Sequence, residues 1–247
     1  MQPINNAVVE WRDEQPFASN FQDVYFSSDN GLLETEYVFL LGNDLSSRWQ
    51  KTNNCLFTIA ETGFGTGLNF LCASQLWLST APEHATLHFI SVEKYPLSLN
   101  DLTRALDCWP ELKELAEPLL ANYENLLIDE TPLSLYNNRV RLSLLIGDAT
   151  MCLAKLATNP KNKNEAFIDA WFLDGFSPSK NSEMWRPELF VQMALLSNTA
   201  TTLATFTSAA TVRRDLITAG FKINKQTGFG KKREMLRGRF LGNANDA

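Results

Sequence analysis

The chain has 247 residues, of which 45% are hydrophobic and 20% charged, values typical of one large globular domain. The net charge of −6 argues against a protein that binds nucleic acid over its whole surface, unless basic residues gather on one face. Four scattered cysteines without C-x-x-C spacing argue against a cysteine-ligated metal centre.

The N-terminus and the apolar runs of the sequence indicate the cellular compartment in which the protein is expected. The first residues lack the basic and apolar regions of a secretory signal, and no apolar run approaches the ~18 residues that a membrane-spanning helix needs. We therefore expect a cytoplasmic protein without a membrane partner. The two histidines, His84 and His88, are four residues apart, and His88 sits in a strand-like run, where residues at that spacing lie roughly 13 Å from each other. We therefore expect no metal site.

From residue 55 onward, strand-like and helix-like segments alternate, which is typical of an α/β fold with a mostly parallel, doubly wound sheet. The predicted strands are 55–61, 85–93, 139–148, 166–175 and 201–208. The predicted helices are 69–79, 98–109, 111–123, 150–157, 187–197 and 211–220. Pro118 predicts an interruption within 111–123, Pro187 suits a first helical turn, and Gly220 suits the position after a helix end.

The sequence predicts an antiparallel hairpin near each end of the chain. Residues 221–240 predict two strands joined by a glycine-containing loop. Residues 23–41 predict two short strands around Asp29, Asn30 and Gly31. We expect residues 1–55 to form a small N-terminal β-hairpin extension packed on a core domain of residues 56–247.

Three glycines follow the strand 55–61 in the order Glu61-x-Gly63-x-Gly65-x-Gly67. A dinucleotide site requires G-x-G-x-x-G, and a phosphate-binding P-loop ends in G-K-[ST], so neither pattern matches. Such a turn also arises from tight packing alone. The acid and glycine spacing resembles the first motif of class I S-adenosylmethionine-dependent methyltransferases, in which glycines let the backbone approach the ligand closely.

Acidic residues also end the next three strands. Glu93 follows Gly67 by 26 residues and suits two vicinal ribose hydroxyls. Asp148 suits an adenine amine, and it equally suits the N-cap of the next helix. Asp174 falls beside the methyl donor, with Phe176 and Pro178 as pocket wall. Each carboxylate also has a purely structural interpretation, as a solvated strand end or a turn residue.

Several long segments together resemble the methyltransferase domain of the MnmC family, bacterial enzymes that modify the wobble uridine of certain transfer RNAs. The resemblance covers about residues 21–240, and its most specific parts are "DGFSPSKN" at 174–181 and "GFGKKREM" at 228–235. It implies methyl transfer from S-adenosylmethionine to the primary amine of 5-aminomethyl-2-thiouridine, which gives 5-methylaminomethyl-2-thiouridine. Longer family members continue into a flavin-dependent oxidoreductase domain. This chain ends in a short polar tail, so we expect no flavin here and leave open whether a flavin-dependent domain or protein acts before it.

The resemblance also implies roles for individual residues. Residues at the methionine end of the donor would be Glu61, Gly63, Gly65, Gly67 and Asn69. Its ribose would lie at Glu93 and Lys94 and its adenine at Asp148 and Ala149. Asp174 would be the catalytic residue that orients the amine, with a possible role as base, and the substrate would contact Tyr25, Phe176, Lys231, Lys232 and Arg233.

The C-terminal hairpin carries a concentrated positive charge that suits an RNA backbone. Its basic residues, set against the one acid Glu234, are Lys222, Lys225, Lys231, Lys232, Arg233, Arg237 and Arg239. We expect tRNA to bind there. A solvated hairpin edge protected by lysines against aggregation is the structural alternative.

Three other functions stay open at this point. A methyl or aminopropyl transferase acting on a small-molecule amine would use a similar fold and a related donor. A nicotinamide-dependent dehydrogenase is opposed by the glycine spacing. A non-catalytic S-adenosylmethionine-binding protein would not need Asp174.

Overall fold

The computed structural model describes residues 4–27, 30–158 and 168–242. Within them the strands are β1 (Val9–Arg12), β2 (Gln15–Ala18), β3 (Asp23–Val24), β4 (Leu56–Thr62), β5 (Thr86–Glu93), β6 (Leu133–Leu135), β7 (Val140–Ile146), β8 (Ile168–Leu173), β9 (Ser197–Thr205), β10 (Phe221–Thr227) and β11 (Glu234–Phe240). The helices are α1 (Gly31–Thr35), α2 (Leu45–Gln50), α3 (Leu68–Thr80), α4 (Leu99–Leu106), α5 (Lys113–Ile128), α6 (Ala149–Thr158), α7 (Pro187–Leu195) and α8 (Ala210–Thr218). A π-helix (Glu36–Leu41) joins α1 to the segment before α2, and 3₁₀ turns lie at Pro110–Leu112 and Ser182–Trp185.

The central sheet of the described residues has the strand order β10-β11-β9-β8-β4-β5-β7-β6. β4 pairs in parallel with β5 and β8, and parallel pairing continues outward to β7 and β9. The chain fills one side of β4 and then crosses to the other, so the order reverses beside β4. The predicted doubly wound, mostly parallel sheet is confirmed. Its carboxyl edge at the reversal point is where open α/β sheets bind ligands.

Alternating side chains along the strands create two hydrophobic cores, one on each face of the sheet. In β8, Ala170 and Phe172 enter the core covered by α2 to α5, whereas Trp171 and Leu173 enter the core covered by α6 to α8. Strands that are buried on both faces appear in the sequence as continuous apolar runs, so they can be predicted from it. The predicted strand 166–175 begins at two residues that lie outside the described ones.

The C-terminal hairpin is confirmed, and its second strand lies inside the sheet. β11 pairs antiparallel with both β10 and β9, with Leu236 opposite Thr205 and Lys225. β10 is therefore an edge strand. Its alternate side chains Lys222, Asn224 and Gln226 are exposed, as expected for a protected edge.

The hairpin predicted around Asp29, Asn30 and Gly31 is wrong. Asp29 lies outside the described residues, and Gly31 begins α1. The side chain of Asn30 accepts a hydrogen bond from the Leu33 N–H (3.1 Å) and so caps this helix. The side chains of Thr35, Val38 and Phe39 follow helical spacing, and each is no more than 4% exposed. The apolar side of this segment is therefore buried by a helix and not by a strand.

The small antiparallel N-terminal sheet does exist, earlier in the chain, as the strands β1, β2 and β3. Asp13 and Glu14 form its first turn with positive φ angles of 48° and 62°. Such turns ordinarily carry Gly or Asn, so the sequence gives no clear signal of this one. The domain boundary at 55/56 stays a prediction. Val38, Leu45 and Trp49, which precede it, belong to the same core as β4.

The interruption predicted at Pro118 is also wrong, because α5 continues through it. Proline in a helix interior costs about 3 kcal/mol by removing one backbone hydrogen bond. Burying Leu119 and Tyr123 completely offsets this, at roughly 1.5–3 kcal/mol for a large side chain. The short edge strand β6 was not predicted, since three residues show no periodicity.

Candidate active site

A cavity of about 340 Å³ opens at the carboxyl edge of the sheet, around the point where the strand order reverses. Its size lies within the range of roughly 300–1,000 Å³ typical of small-ligand pockets. Predicted site residues that line it are Tyr25, Gly63, Gly65, Asn69, Glu93, Lys94, Asp148, Ala149, Asp174, Phe176 and Lys232. The fold thus brings together the ends of β4, β5, β7 and β8.

The glycine turn after β4 forms part of the cavity wall, and its backbone lies close to that of β5 and of the turn after β8. The N–H groups of Gly63 and Phe64 donate to the Val92 carbonyl oxygen of β5 (2.9 and 3.1 Å). Gly63 has a φ of +85°, and a Cβ there would lie 3.1 Å from Gly175 Cα in the turn after β8. A side chain at Gly63 would therefore force the two turns apart, and the cavity floor depends on its absence.

Glu93 ends β5 with its carboxylate in the cavity wall. Its Oε2 accepts from the Gly65 N–H and its Oε1 from the Tyr95 N–H, both at 2.9 Å. Burial raises the pKa of this carboxyl, and the backbone N–H donors partly oppose that rise. A carboxylate has about four lone-pair sites, so acceptor capacity remains for ligand hydroxyls. Lys94 beside it donates to Glu183 Oε2 (3.2 Å).

Asp148 follows β7 and caps α6, because its Oδ1 accepts from the Met151 N–H (3.2 Å). The capping role is therefore confirmed. Its Oδ2 lies 3.3 Å from Arg186 Nη2 in a partly exposed ion pair. The carboxylate and the neighbouring Ala149 both line the cavity.

Asp174 belongs to a hydrogen-bonded network of five residues from α1, β4, α3, β5 and the end of β8. The Asn69 side-chain NH₂ donates both to Asp174 Oδ2 (2.6 Å) and to Glu61 Oε1 (2.9 Å). Thr35 Oγ1 donates to the Asn69 side-chain oxygen (2.7 Å), and Ser91 Oγ donates to Glu61 Oε2 (2.6 Å). The donors and acceptors of the Asn69 amide are thereby engaged, which fixes its orientation.

Burial dominates the acid–base behaviour of this network. It raises the pKa of Asp174 to about 6, against the lowering effect of the Gly175 N–H and the Asn69 amide. Burial likewise holds the pKa of Glu61 well above its usual range, since this carboxyl is 1% exposed. Glu61 is not among the cavity-lining residues and acts on the cavity through Asn69. Gly67 also lies outside the lining and packs against the Phe64 ring.

Sequence reasoning missed the contribution of the N-terminal segment to this cavity. Phe21 stacks on Phe176 at 4.6 Å between ring centroids, and Tyr25 meets the same ring edge-on at 5.3 Å. Asp23 Oδ2 accepts from the Ser177 N–H (3.0 Å). The loops beside β3 therefore roof the cavity. Only Tyr25 was predicted there, because the segment carries no motif of its own.

Lys232 occupies a different place from its neighbours in the basic hairpin. Its ammonium donates to Glu34 Oε1 (2.7 Å) and lies 4.2 Å from the centre of the Phe206 ring. All three side chains line the cavity. Lys231 and Arg233 are exposed beside it on the hairpin turn and are not among the lining residues.

Within residues 4–27, 30–158 and 168–242, no group of three or more His, Cys, Asp or Glu side chains is arranged to hold a metal ion. No helix in the same part of the chain is long and apolar enough to cross a membrane. His88 lies in β5, bonded to Ser143 Oγ (2.9 Å), and burial lowers its pKa to about 4.

Residues 110–240 match a family model described as S-adenosyl-L-methionine-dependent methyltransferase. The chain belongs to this family. The match runs from the 3₁₀ turn before α5 to the end of β11, more than half of the chain. The residues around Gly63 and Glu93 lie before the matched region and complete the same cavity.

Curated relatives of this methyltransferase extend over nearly all of it. Proteins named tRNA 5-methylaminomethyl-2-thiouridine biosynthesis bifunctional protein MnmC are 50% identical in Methylobacillus flagellatus, 51% in Ectopseudomonas mendocina and 45% in Legionella pneumophila. These matches cover 99%, 97% and 95% of this chain. The chain spans only 36–37% of the length of these relatives.

A solved structure shares the fold. The crystal structure of MNMC2 from Aquifex aeolicus superimposes with a TM-score of 0.71 at 21% sequence identity. The match covers 98% of this chain and 72% of that one. The similarity in fold therefore includes the N-terminal segment that roofs the cavity.

Proposed function

We propose that this methyltransferase transfers a methyl group from S-adenosylmethionine to the primary amine of 5-aminomethyl-2-thiouridine at the wobble position of tRNA. The product is 5-methylaminomethyl-2-thiouridine, the nucleoside in the name of the relatives. The observation that carries the proposal is Asp174, a carboxylate of raised pKa held by Asn69 in the wall of the cavity. A carboxylate held there can accept an N–H of an amine substrate and aim its lone pair at the methyl group.

The residues around the cavity fit the methyl donor. Glu93 offers two carboxylate oxygens to the ribose, with Lys94 at the same edge. Asp148 and Ala149 border the expected adenine position, and Gly63, Gly65 and Asn69 border the methionine end. Glu61 and Gly67 support that end from behind, through the Asn69 amide and the start of α3.

S-adenosylmethionine, when bound, supplies an electrophilic methyl group on a positively charged sulfur. Asp174 then acts on the amine, which must be neutral to attack. For an amine as basic as lysine, losing the proton at pH 7 would cost roughly 4–5 kcal/mol, an upper bound for this substrate. Ionised Asp174 accepts an amine N–H, aims the nitrogen lone pair and can take the proton that the product releases. Phe21, Tyr25 and Phe176 keep water out of this space.

The basic hairpin is the proposed tRNA contact, with Lys231 and Arg233 on phosphates at its exposed turn. An oxidoreductase domain or protein that acts in the preceding step, with a flavin, would supply the amine. The word bifunctional in the relatives' name supports such a partner. A cytoplasmic location follows from this substrate.

The decisive experiment offers labelled S-adenosylmethionine together with tRNA carrying 5-aminomethyl-2-thiouridine, and separately with tRNA lacking it. Label at the wobble nucleoside of the first tRNA alone is the expected result. Label in free small amines but in neither tRNA would move the function to small-molecule methyl or aminopropyl transfer. Donor binding without any transfer would contradict the enzymatic proposal.

A further inference from the structure

The helical segment 31–41 presents an apolar stripe to solvent beside the cavity mouth. Leu33 is 50% exposed and Leu41 61% exposed, and Tyr37 lies halfway between them on the same helical face. The Tyr37 ring lies 6.1 Å from the Phe229 ring of the β10–β11 turn, and its hydroxyl donates to the Thr227 carbonyl oxygen (3.0 Å). We call these four residues, Leu33, Tyr37, Leu41 and Phe229, the apolar platform.

The platform is continuous with the catalytic cavity. Glu34 follows Leu33 in the chain and lines the cavity, as does Lys232, which follows Phe229 by three residues. The ion pair between Glu34 and Lys232 joins the helix and the hairpin of the platform at the cavity wall, where both charges act on the Asp174 carboxyl. A molecule whose reactive group reached Asp174 would pass beside this surface.

Positive charge borders the platform on the hairpin side. The hairpin carries seven basic residues against one acid. Three of them pair with carboxylates across partly exposed contacts, namely Lys225 with Glu234, Lys232 with Glu34 and Arg237 with Asp44. Exposed ion pairs of this kind are weak, so phosphate oxygens can compete for the same cations. Aromatic side chains beside cations, here Tyr37 and Phe229 beside the basic hairpin, are a combination that binds single-stranded nucleic acid.

We propose that the apolar platform stacks the nucleobases that flank the target nucleotide in an RNA loop. The inference rests on the proposed function and names the part of the RNA that this surface receives. A base whose substituent reacts inside a cavity has to leave the stack of its neighbours. The neighbours then expose their faces, and an apolar surface beside the cavity mouth covers them.

The test uses a stem-loop RNA with 5-aminomethyl-2-thiouridine at the target position and the fluorescent base 2-aminopurine next to it. The platform variant combines Leu33→Ser with Leu41→Ser, and Phe229→Ala is tested separately. Leu195→Ser, on the exposed side of α7 at the opposite face of the sheet, is the matched control, since Leu195 is 59% exposed. Because all the leucines replaced are solvent-exposed, we expect thermal unfolding to stay close to that of the unaltered chain.

We expect the platform variant to bind the stem-loop roughly tenfold more weakly, because it loses apolar contact area with the flanking bases, and to lose the change in 2-aminopurine fluorescence. The control should match the unaltered chain. Binding of S-adenosylhomocysteine and methylation of the free nucleoside should not change in any variant, because neither involves flanking bases.

RNA affinity and fluorescence equal to those of the unaltered chain would overturn the inference. So would a dimer, seen by sedimentation, that the platform variant abolishes while it keeps its RNA affinity, since the surface would then join two copies. Platform-dependent RNA binding without methyl transfer to RNA or nucleoside would overturn the proposed reaction and leave the platform standing.

Discussion

The carboxyl group of Asp174 is desolvated and also held by two N–H donors, and desolvation is the larger effect, since its pKa rises to about 6. We expect the single-turnover rate of methyl transfer to increase with pH through this value, because in the proposed reaction only the ionised group accepts the amine N–H. Asp174→Ala should lower the rate by roughly 10²–10⁴-fold, the usual range for a positioned acid–base group, and should remove the pH-dependent step near 6. Rapid-quench measurements between pH 5 and 8 check both.

The control for this prediction is the affinity for S-adenosylhomocysteine, which should change by no more than a few fold. A variant that kept most of its rate would contradict the assignment of Asp174 to the amine.

A second prediction concerns the hydrogen bond that Thr35 donates to Asn69. The Thr35 hydroxyl keeps the Asn69 amide turned with its NH₂ towards Asp174, and one such hydrogen bond is worth about 1 kcal/mol. Thr35→Val should therefore lower the rate by roughly fivefold to tenfold. It should also move the pH-dependent step upward, because the Asp174 anion loses a well-oriented donor. Thr35→Ser, which keeps the hydroxyl, should restore both quantities, and restoration of neither would show that Thr35 acts only through packing.

Residues after the strands were predictable because the sheet places every strand end at one edge. Glu93, Asp148 and Asp174 follow apolar runs, so their convergence follows from the fold. Thr35, Glu34 and Phe21 were not predictable. They reach the cavity from the first 50 residues, where the chain shows no motif and where the hairpin expected from the sequence proved to be a helix.

The next prediction concerns the N-terminal sheet and the loops beside it, which cover the cavity. Phe21 beside it closes the cavity by stacking on Phe176. Phe21→Ala should weaken the binding of S-adenosylhomocysteine roughly tenfold, mostly through faster dissociation, because the roof loses its largest apolar contact. Arg12→Ala is a matched control in the same sheet, since Arg12 packs on Phe17 and is not among the cavity-lining residues. Stopped-flow dissociation measures both, and equal rates would mean that the sheet does not restrict the ligand.

The C-terminal hairpin carries a prediction about salt. If its turn contacts phosphates, RNA affinity should fall steeply as salt increases, and the double substitution of Lys231→Glu with Arg233→Glu should flatten that dependence. Binding of S-adenosylhomocysteine should be unaffected, because neither residue is among those that line the cavity. Filter binding between 50 and 300 mM salt, about the range where such effects are large, makes the comparison. An unchanged slope would place the RNA elsewhere.

For the whole molecule, the buried carboxyls of Glu61, Glu93 and Asp174 link stability to pH. All three have raised pKa values in the fold, so the folded chain keeps protons that the unfolded chain releases. For Asp174 the window runs from its ordinary value of 3.8 to about 6, and in that window its contribution to the free energy of unfolding falls as pH rises. The loss is roughly 3 kcal/mol at 1.36 kcal/mol per pKa unit.

Urea denaturation of the unaltered chain and of Asp174→Ala, at pH 4 and pH 7, isolates this contribution. The variant should be more stable relative to the unaltered chain at pH 7 than at pH 4. Subtracting the two proteins cancels the other titrating groups. A difference that does not depend on pH would mean that Asp174 ionises in the fold as easily as in the unfolded chain.

The place of β11 has a consequence for biosynthesis. This strand, Glu234–Phe240, is the last one described, yet it lies between β9 and β10 inside the sheet. β10 has no other partner in the described sheet, and one edge of β9 stays unpaired until β11 arrives. A ribosome must therefore release almost the whole domain before its sheet can close. Until then, the nascent chain exposes unpaired strand edges on β9 and β10, which are prone to aggregation and are suitable binding sites for a chaperone.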